Sequence, residues 1–481
     1  MRIGIDFGTS YSAAAVFRND RVEKIRFAAG DQFRTAVYFP EAVPNMDEFQ
    51  MTPEIERDFE RILRQDRRQA TKAFVTATAR WQEAMKLRDE NARNRALALL
   101  TEPKAPDDND LRKMALRVAR QHWREEQVRT ASVAEVDTSR AVFGDDAIDD
   151  YLDAGTGILI QSPKSMLGFD LNATGRARIL NVVGHILEHI RLTATKQLGS
   201  AVHKAVIGRP VEFRSSLGPA GTEQARALMT EAAIKAGYDD DIEFLEEPVA
   251  ASHDFHRKCE ERTKTLVVDV GGGTTDFAFV ELGGSRKPNV IKARGFPMGG
   301  TDVDLDLGQQ VMPLFGRDLD GGAPAHHYVD ALSIHNPERQ RQFAKRDYKQ
   351  EEEPFLSRLR ALQRTGNTQK TARLIEQAKV ELSTEDRRRI ALGFIEKRLA
   401  ATVDQASLLD ASDRLRFNLE KELDKLLAEI GCSPDAVFVT GGMSRSPYLI
   451  EILKRKFPNA RRVRGNASFA VVNGLALYAA G

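Results

Sequence analysis

Two short segments, residues 6–10 (DFGTS) and 269–276 (DVGGGTTD), place an aspartate beside glycines and hydroxyl residues. Consecutive glycines leave backbone N–H groups uncovered by side chains, and such groups bind phosphate oxygens. The hydroxyls of Thr9, Ser10 and Thr274 add further donors for the same oxygens. These residue types in this order predict two phosphate-binding turns, one in each half of the chain.

The two aspartates, Asp6 and Asp269, each end an apolar segment directly before its turn. Two carboxylates that converge on one cleft repel each other unless a cation lies between them. Mg²⁺ keeps most of its hydration shell and takes few direct protein ligands. We therefore predict that Asp6 and Asp269 position Mg²⁺ through bound water.

A third glycine site, Gly441-Gly442, lies between a strand-like and a helix-like segment and is followed by Ser444 and Arg445. Two glycines allow a bulky ligand group to approach the backbone closely. An arginine can stack on such a group or donate hydrogen bonds to it. The pattern favours a second contact region for the same ligand, although an ordinary strand-to-helix turn would have a similar sequence.

The elements that must position these residues indicate a duplicated architecture. Each phosphate-binding turn joins two apolar strand-like segments, and the two aspartates are 263 positions apart. Strand-like and helix-like segments alternate between the turns, as at 205–208, 220–236 and 242–245. Such alternation predicts an α/β fold with mainly parallel sheets.

The composition of the chain limits the kinds of partner that we expect it to bind. Lys+Arg number 71 and Asp+Glu 70, a net charge of +1, which argues against a dedicated nucleic-acid or anionic-membrane binder. Two cysteines cannot form a disulfide framework. No apolar run reaches the roughly 18 residues of a membrane span, and Asp6 interrupts the apolar core that a signal peptide would need. We therefore expect a cytoplasmic protein with no nucleic-acid or membrane partner.

Residues 41–139 break the α/β pattern because they are charged and have helical periodicity. Residues 54–130 contain 18 Lys+Arg and 14 Asp+Glu, with the two signs interspersed. Interspersed charge favours an inserted helical hairpin or bundle with solvated faces over a nucleic-acid-binding arm. Residues 313–375 also break the pattern, and we expect a peripheral subdomain or loop there.

Six segments occur in the order found in one known family. They are 6–10, 246–251 (EEPVAA), 269–276, 298–302 (MGGTD), 376–383 (EQAKVELS) and 439–447 (VTGGMSRSP). Through them the chain resembles the ATPase domain of the DnaK-type 70-kDa heat-shock chaperones, within the actin/hexokinase superfamily. It is most similar to the truncated YegD-like chaperone homologues, through residues 162–165 (SPKS) and 312–316 (MPLFG).

The resemblance implies a two-lobed actin-like ATPase fold of the ribonuclease H type, with four subdomains and the helical insertion 41–139. The expected core subdomains are 1–38 with 176–262 in lobe I, and 263–300 with 403–481 in lobe II. The expected peripheral subdomains are 39–175 in lobe I and 301–402 in lobe II. Since the sequence stops at Gly481, we expect no C-terminal peptide-binding domain.

The resemblance also assigns roles to individual residues. Lys164 is expected to steady the γ-phosphate and the attacking water, and Glu247 to lie near that water and Mg²⁺. Asp6, Asp269 and Thr274 complete the expected catalytic set. The expected contacts to phosphate, ribose and adenine are Gly8, Thr9, Ser10, Gly271, Gly272, Gly273, Thr274, Gly299, Gly300, Glu376, Lys379, Ser383, Gly441, Gly442, Ser444 and Arg445.

Some positions depart from the family pattern. Pro210 matches the family's switch proline, but Gly218 stands where an arginine is expected, which puts the relay between domains in doubt. Val380 replaces a side chain that stacks on adenine in some members, and Ser468 stands where an aspartate is usual. These two replacements weaken the expected preference for adenine.

The resemblance implies a slow Mg²⁺-dependent ATPase that binds ATP and ADP, with K⁺ as a further candidate cofactor. Its nucleotide state would switch the closure of the lobes and the binding of a protein partner or client, through the insertion 41–139. Two alternatives stay open from the sequence. One is a small-molecule kinase of the same superfamily, and the other is a nucleotide-gated scaffold or filament protein without turnover.

Overall fold

The computed structural model describes residues 1–40, 49, 51–86, 103, 105–130, 140–319, 322–463 and 468–481. The strands β1–β16 are Arg2–Phe7, Tyr11–Arg18, Arg21–Lys24, Phe33–Arg34, Ala36–Phe39, Val142–Phe143, Ile158–Gln161, Lys204–Arg209, Glu243–Glu246, Thr263–Val270, Thr275–Leu282, Asn289–Phe296, Arg387–Ala391, Ala400–Asp404, Ala436–Thr440 and Arg461–Val463. The helices α1–α15 are Pro53–Met85, Asp108–Thr130, Asp145–Ala154, Ala173–Leu198, Pro219–Lys235, Glu247–His256, Gly300–Gln309, Ala325–Leu332, Pro337–Lys345, Phe355–Leu362, Asn367–Glu381, Gln405–Ala411, Asp413–Ile430, Pro447–Lys456 and Ala470–Ala479.

The chain forms two compact units, one of residues 1–39 and 138–481 and the other of residues 40–137. The larger unit contains two sheets with the same topology. In the first, β1 is antiparallel to β2 and parallel to β8, in the order β3-β2-β1-β8-β9. In the second, β10 is antiparallel to β11 and parallel to β15, in the order β12-β11-β10-β15-β16. The predicted duplication is therefore present.

The prediction of mainly parallel sheets was wrong, because antiparallel pairs are half of the strand pairs in the second sheet and three of five in the first, where β4 also pairs with β2. β2 pairs with β3, and β11 with β12, in antiparallel register, whereas β8–β9 and β15–β16 are parallel. The tight glycine turns after β1 and β10 explain the difference, since a short turn can join only antiparallel neighbours. The turns thus fall at the ends of central buried strands.

Helix α15 packs against α6 and against β1, β2 and β8. Small residues permit this close contact, because a Cβ atom on Gly474 would collide with the carbonyl group of Ala250. Leu475 is fully buried on the same helix, and a Cβ atom on Gly4 of β1 would collide with its side chain. These contacts hold β1, the strand that carries Asp6, against α15.

Smaller layers surround the two sheets. The antiparallel sheet β6-β5-β7 packs against α3 through Ala36, Tyr38, Ala147 and Ile148. Helices α7–α12 and the hairpin β13–β14 share one apolar core with the second sheet. Among the described residues, no helix is both long enough and apolar enough to span a membrane.

The smaller unit contains α1 and α2, which contact each other. Thr52 caps α1 by accepting a hydrogen bond from the Ile55 N–H, and Pro53 occupies its first turn. Ile62, Leu63 and Ala115 form the buried apolar contact, and Arg67 pairs with Asp108 at 2.6 Å. Most of the described residues of the predicted insertion are therefore helical, over Pro53–Met85 and Asp108–Thr130. Residues 41–48, 50, 87–102, 104 and 131–139 lie outside the described residues.

Candidate functional site

A cavity of about 260 Å³ opens where β1, β10 and β15 end. It brings together residues from all three predicted glycine sites. The predicted site residues that line it are Asp6, Gly8, Thr9, Ser10, Lys164, Glu247, Asp269, Gly271, Gly272, Thr274, Gly300, Glu376, Lys379, Gly441 and Gly442.

The two phosphate-binding turns face each other in this cavity. A Cβ atom on Gly272 would collide with Ser10 Oγ, and one on Gly273 would lie 2.9 Å from Thr9 Oγ1. Gly273 thus contacts the first turn, although it does not line the cavity. Hydroxyl groups of the first turn therefore lie directly against the backbone of the second. A ligand between them could accept hydrogen bonds from both turns at once.

The N-terminus of α7 packs against the second turn and donates backbone hydrogen bonds to it. The Gly300 N–H donates to the Gly271 carbonyl at 3.0 Å, and the Thr301 N–H donates to the Gly272 carbonyl at 2.8 Å. A Cβ atom on Gly299 would lie 2.6 and 2.7 Å from these two carbonyl oxygens. Gly299 thus allows the helix to approach the turn, although it does not line the cavity.

The third glycine site closes the cavity beside Asp269. Gly441 has a φ of +86°, and a Cβ atom there would lie 2.6 Å from Asp269 Oδ1. The Met443 N–H donates to the Val270 carbonyl at 3.1 Å, which fixes the turn on the end of β10. Only glycine combines this backbone conformation with this close approach.

Lys164 and Glu247 form a buried ion pair at the base of the cavity, with 5% and 7% of their surfaces exposed. The Lys164 Nζ donates to Glu247 Oε1. Lys164 lies in a short helical turn, 163–166, after Ser162, and Glu247 begins α6. Burial lowers the pKa of Lys164, but Glu247 and Asp6 outweigh burial and raise it, so the ammonium stays charged.

Asp6 and Asp269 converge on the same cavity, as predicted. Burial, with added repulsion from Glu247, raises the pKa of Asp6 to about 7 and that of Asp269 well above its usual value. Asp269 Oδ1 is buried and has no hydrogen-bond partner among the described residues. Carboxylates that repel each other around an unpartnered oxygen fit a hydrated divalent cation.

Mg²⁺ bound here would rely on water and a ligand's oxygens. Among the described residues, no group of three or more His, Cys, Asp or Glu side chains is placed to hold a metal by itself. The residues that would orient the hydration shell are Asp6 and Asp269. This donor set agrees with the preference of Mg²⁺ for retained water.

Asp276 is a further buried carboxylate, and the sequence pattern assigns it no role beyond flanking the second turn. Its Oδ1 accepts a hydrogen bond from the Val211 N–H at 2.8 Å, and its Oδ2 has no partner among the described residues. Burial and then Glu247 raise the pKa of Asp276 to about 8. Its pairing opposite Asp269 in the β10–β11 register was the signal that could have identified it.

Two residues predicted to contact ribose and adenine are held by ion pairs. Glu376 accepts hydrogen bonds from Arg34 at 3.0 and 3.3 Å, and Arg34 also contacts Asp145. Lys379 Nζ donates to Asp304 Oδ2 at 2.8 Å and to the Gly300 carbonyl at 3.2 Å. Arg34 and Asp304 were not identified from the sequence, because they lie far from the glycine motifs.

Three further predicted residues are not part of the cavity wall. Ser444 and Arg445 follow the third glycine site, and Ser383 follows α11; none of the three lines the cavity. Val380 and Ser468 do line it, and Val380 is 62% exposed. The wall of the cavity therefore includes an exposed aliphatic side chain as well as its glycines.

The comparisons with known proteins agree with these observations. Residues 164–321 match the family model described as Hsp70 protein. The chaperone protein DnaK of Thermosipho melanesiensis is 26% identical over 310 residues, which cover 61% of this chain and 43% of that protein. The stromal 70 kDa heat shock-related protein of Spinacia oleracea, a chloroplastic protein, is 26% identical over 309 residues, which cover 62% and 43%.

The chain spans less than half the length of the curated relatives that it matches. The likeness to YegD-like homologues, the four subdomain boundaries and the cytoplasmic location stay predictions. The duplicated sheets agree with the actin-like ATPase fold, which the family match also supports. Over these residues, the chain is similar to the Hsp70 family model and to two Hsp70-type proteins.

Proposed function

We propose that this chain is a slow Mg²⁺-dependent ATPase of chaperone-like or regulatory type. The observation that carries this proposal is the buried pair Lys164–Glu247, which lies between Asp6, Asp269 and two facing glycine turns. A protein that only binds a nucleotide has no need of a buried lysine and three carboxylates beside the phosphate site.

The residues around this cavity suggest a separate role for each group in the in-line attack of water on the γ-phosphate. The N–H groups of 272 and 273 and the hydroxyls of Thr9, Ser10 and Thr274 bind phosphate oxygens, whereas the Gly271 N–H already donates to the Thr274 carbonyl at 3.0 Å. Lys164 holds the γ-phosphate and stabilises the charge that develops in the transition state. Glu247 orients the Lys164 ammonium and accepts a hydrogen bond from the attacking water. When bound, Mg²⁺ supplies charge neutralisation to the phosphates, and Asp6 and Asp269 orient its water.

The base and ribose fit the opening between Gly441-Gly442, Val380 and Ser468. The surroundings of this opening are glycine backbone and one exposed aliphatic side chain. We therefore expect binding to depend more on phosphate than on adenine. Other nucleotides with several phosphates should therefore compete with ATP for this site. Their competition should be stronger here than at a site where an arginine stacks on the base.

The nucleotide state would be transmitted by closure of the lobes. Arg34 pairs with Glu376, and Arg373 pairs with Asp149 at 2.8 Å, so ion pairs join residues from the two predicted lobes. A ligand that binds one arrangement more tightly shifts the population toward it. The insertion 41–139 would be the region through which a protein partner or client senses this change.

The primary experiment measures phosphate release from Mg·ATP by the wild type, by Lys164→Ala and by Lys349→Ala, whose lysine is exposed on the surface. Nucleotide binding is measured for all three proteins, with and without K⁺. We expect slow release by the wild type and by Lys349→Ala, and none by Lys164→Ala despite retained binding. Tight binding without release from any of the three would contradict the ATPase proposal.

A further inference from the structure

A second cavity, of about 50 Å³, adjoins the one described above. Ser10 and Glu376 line both cavities, so the two are neighbours. One buried water needs roughly 10–15 Å³ of such space, so the second cavity has room for about three to five waters. That is space for a small inorganic ion and far too little for a nucleotide.

The wall of this cavity contains polar groups that are buried and unsatisfied. His335 Nδ1 and Asp304 Oδ1 have no hydrogen-bond partner among the described residues. A buried polar group without a hydrogen-bond partner destabilises the folded protein. A ligand that satisfies both would remove this destabilisation, which favours occupation of the cavity by something with both donor and acceptor capacity.

The charges in the wall favour an anion. The two carboxylates are each paired with a cation, since Arg34 donates to Glu376 and Lys379 donates to Asp304 Oδ2. Arg373 also lines the cavity, whereas its two partners, Asp149 at 2.8 Å and Asp145 at 3.7 Å, do not. The guanidinium groups can donate to planar or tetrahedral oxyanions. Hydroxyl side chains from the two lobes complete the wall, at Ser10, Thr35, Ser162 and Thr301.

We propose that this second cavity is a binding site for inorganic phosphate, which arrives from the neighbouring nucleotide cavity after hydrolysis. At neutral pH inorganic phosphate carries at least one O–H group, which can donate to Asp304 Oδ1. Its other oxygens accept from His335 and from Arg373. Sulfate has the same shape but no proton, so the Asp304 carboxylate repels it.

Two properties of the wall agree with this selectivity. Burial raises the pKa of Asp304 to about 6, and Lys379 opposes the increase, so the carboxylate is ionised above that pH. Burial lowers the pKa of His335 to about 4, so its ring is neutral and has one N–H to donate. The inference rests on the proposed ATPase activity only for the source of the phosphate.

The binding experiment uses the full chain loaded with ADP and titrated with phosphate or sulfate at pH 7.5. Three variants separate the sites: Ala372→Leu fills the second cavity, Arg373→Gln removes its cation, and Lys164→Ala removes the cation of the first cavity. Arg364→Gln, in an exposed arginine outside both cavities, is the control. We expect the phosphate affinity to fall about tenfold or more in Ala372→Leu and Arg373→Gln. It should persist in Lys164→Ala and in the control Arg364→Gln.

The outcomes separate the proposal from its rivals. Equal binding of sulfate would overturn the proposal, because the Asp304 carboxylate should repel an anion without a proton. Loss of phosphate binding in Lys164→Ala alone would also overturn it and would place the anion in the first cavity. A second measurement follows cleavage and phosphate release separately in a single turnover. The wild type should release phosphate with a delay after cleavage, and Ala372→Leu should cleave ATP and release phosphate without that delay. If no cleavage occurs, the ATPase proposal fails, while the ADP titration still tests this site.

Discussion

Asp276 is 1% exposed and has one carboxylate oxygen without a partner among the described residues. Its pKa in the folded protein is about 8, above the ordinary value of 3.8, mainly because of burial. The folded state therefore binds a proton that the unfolded state has already lost. The stability from this proton is complete below about pH 4 and disappears as the pH rises toward 8.

We predict that Asp276→Asn reduces this loss of stability. The substituted amide would still accept from the Val211 N–H and would not need a proton to be neutral. At pH 8, without nucleotide or metal, the variant should be more stable than the wild type by a few kcal/mol, whereas at pH 4 the difference should be small. Urea unfolding at both pH values measures this, with the exposed Asp239→Asn as control. Parallel curves for the wild type and Asp276→Asn would contradict the assignment.

At the scale of elements, the contact between the second turn and α7 depends on Gly299. A Cβ atom at this position would lie within 2.7 Å of two backbone carbonyl oxygens, which cannot rotate away. Gly299→Ala should therefore push α7 from the turn and weaken the hydrogen bonds from Gly300 and Thr301. At roughly 1 kcal/mol per bond, nucleotide binding should fall about tenfold or more. Calorimetry with Mg·ADP tests this, and Gly393→Ala, with open space around it, should bind normally.

The packing of α15 on α6 leads to a prediction about the stability of the folded protein. Gly474→Ala places a methyl group against the Ala250 carbonyl and should destabilise the protein by about 1–3 kcal/mol or more. Gly184→Ala, also within a helix, has no atom nearer than 3.7 Å and should raise stability by up to about 1 kcal/mol. Thermal unfolding of both variants measures the difference. A stabilised Gly474→Ala would mean that the two helices are not in close contact.

The elements around the site differ in how far the sequence could predict them. The two turns and their aspartates were identifiable because glycine, aspartate and hydroxyl residues form a compact local pattern. Arg34, Asp304 and His335 were not, because their roles depend on contacts between residues far apart in the chain. The antiparallel strand pairs were missed because strand-helix alternation was given more weight than the short turns.

At the scale of the whole molecule, the insertion begins and ends at neighbouring strands. β5 and β6 are antiparallel, with Tyr38 opposite Val142, so the chain leaves and rejoins the larger unit at nearly the same point. Opposed residues in such a pair have Cα atoms about 5 Å apart. A short loop can therefore connect these strands, and residues 40–137 form a compact unit with contacts of their own.

We predict that replacing residues 41–139 with a short glycine-serine linker leaves a folded protein that binds Mg·ADP with unchanged affinity. The larger unit keeps both sheets and every residue that lines the nucleotide cavity, whereas the proposed partner-binding region is lost. Calorimetry compares nucleotide binding, and affinity capture with the wild type and the deletion as baits compares partner recovery. Leu63→Asp, which places a charge in the buried contact between α1 and α2, is the matched variant with an intact chain. If both altered proteins bind nucleotide but recover the same partners as the wild type, the partner surface must lie on the larger unit.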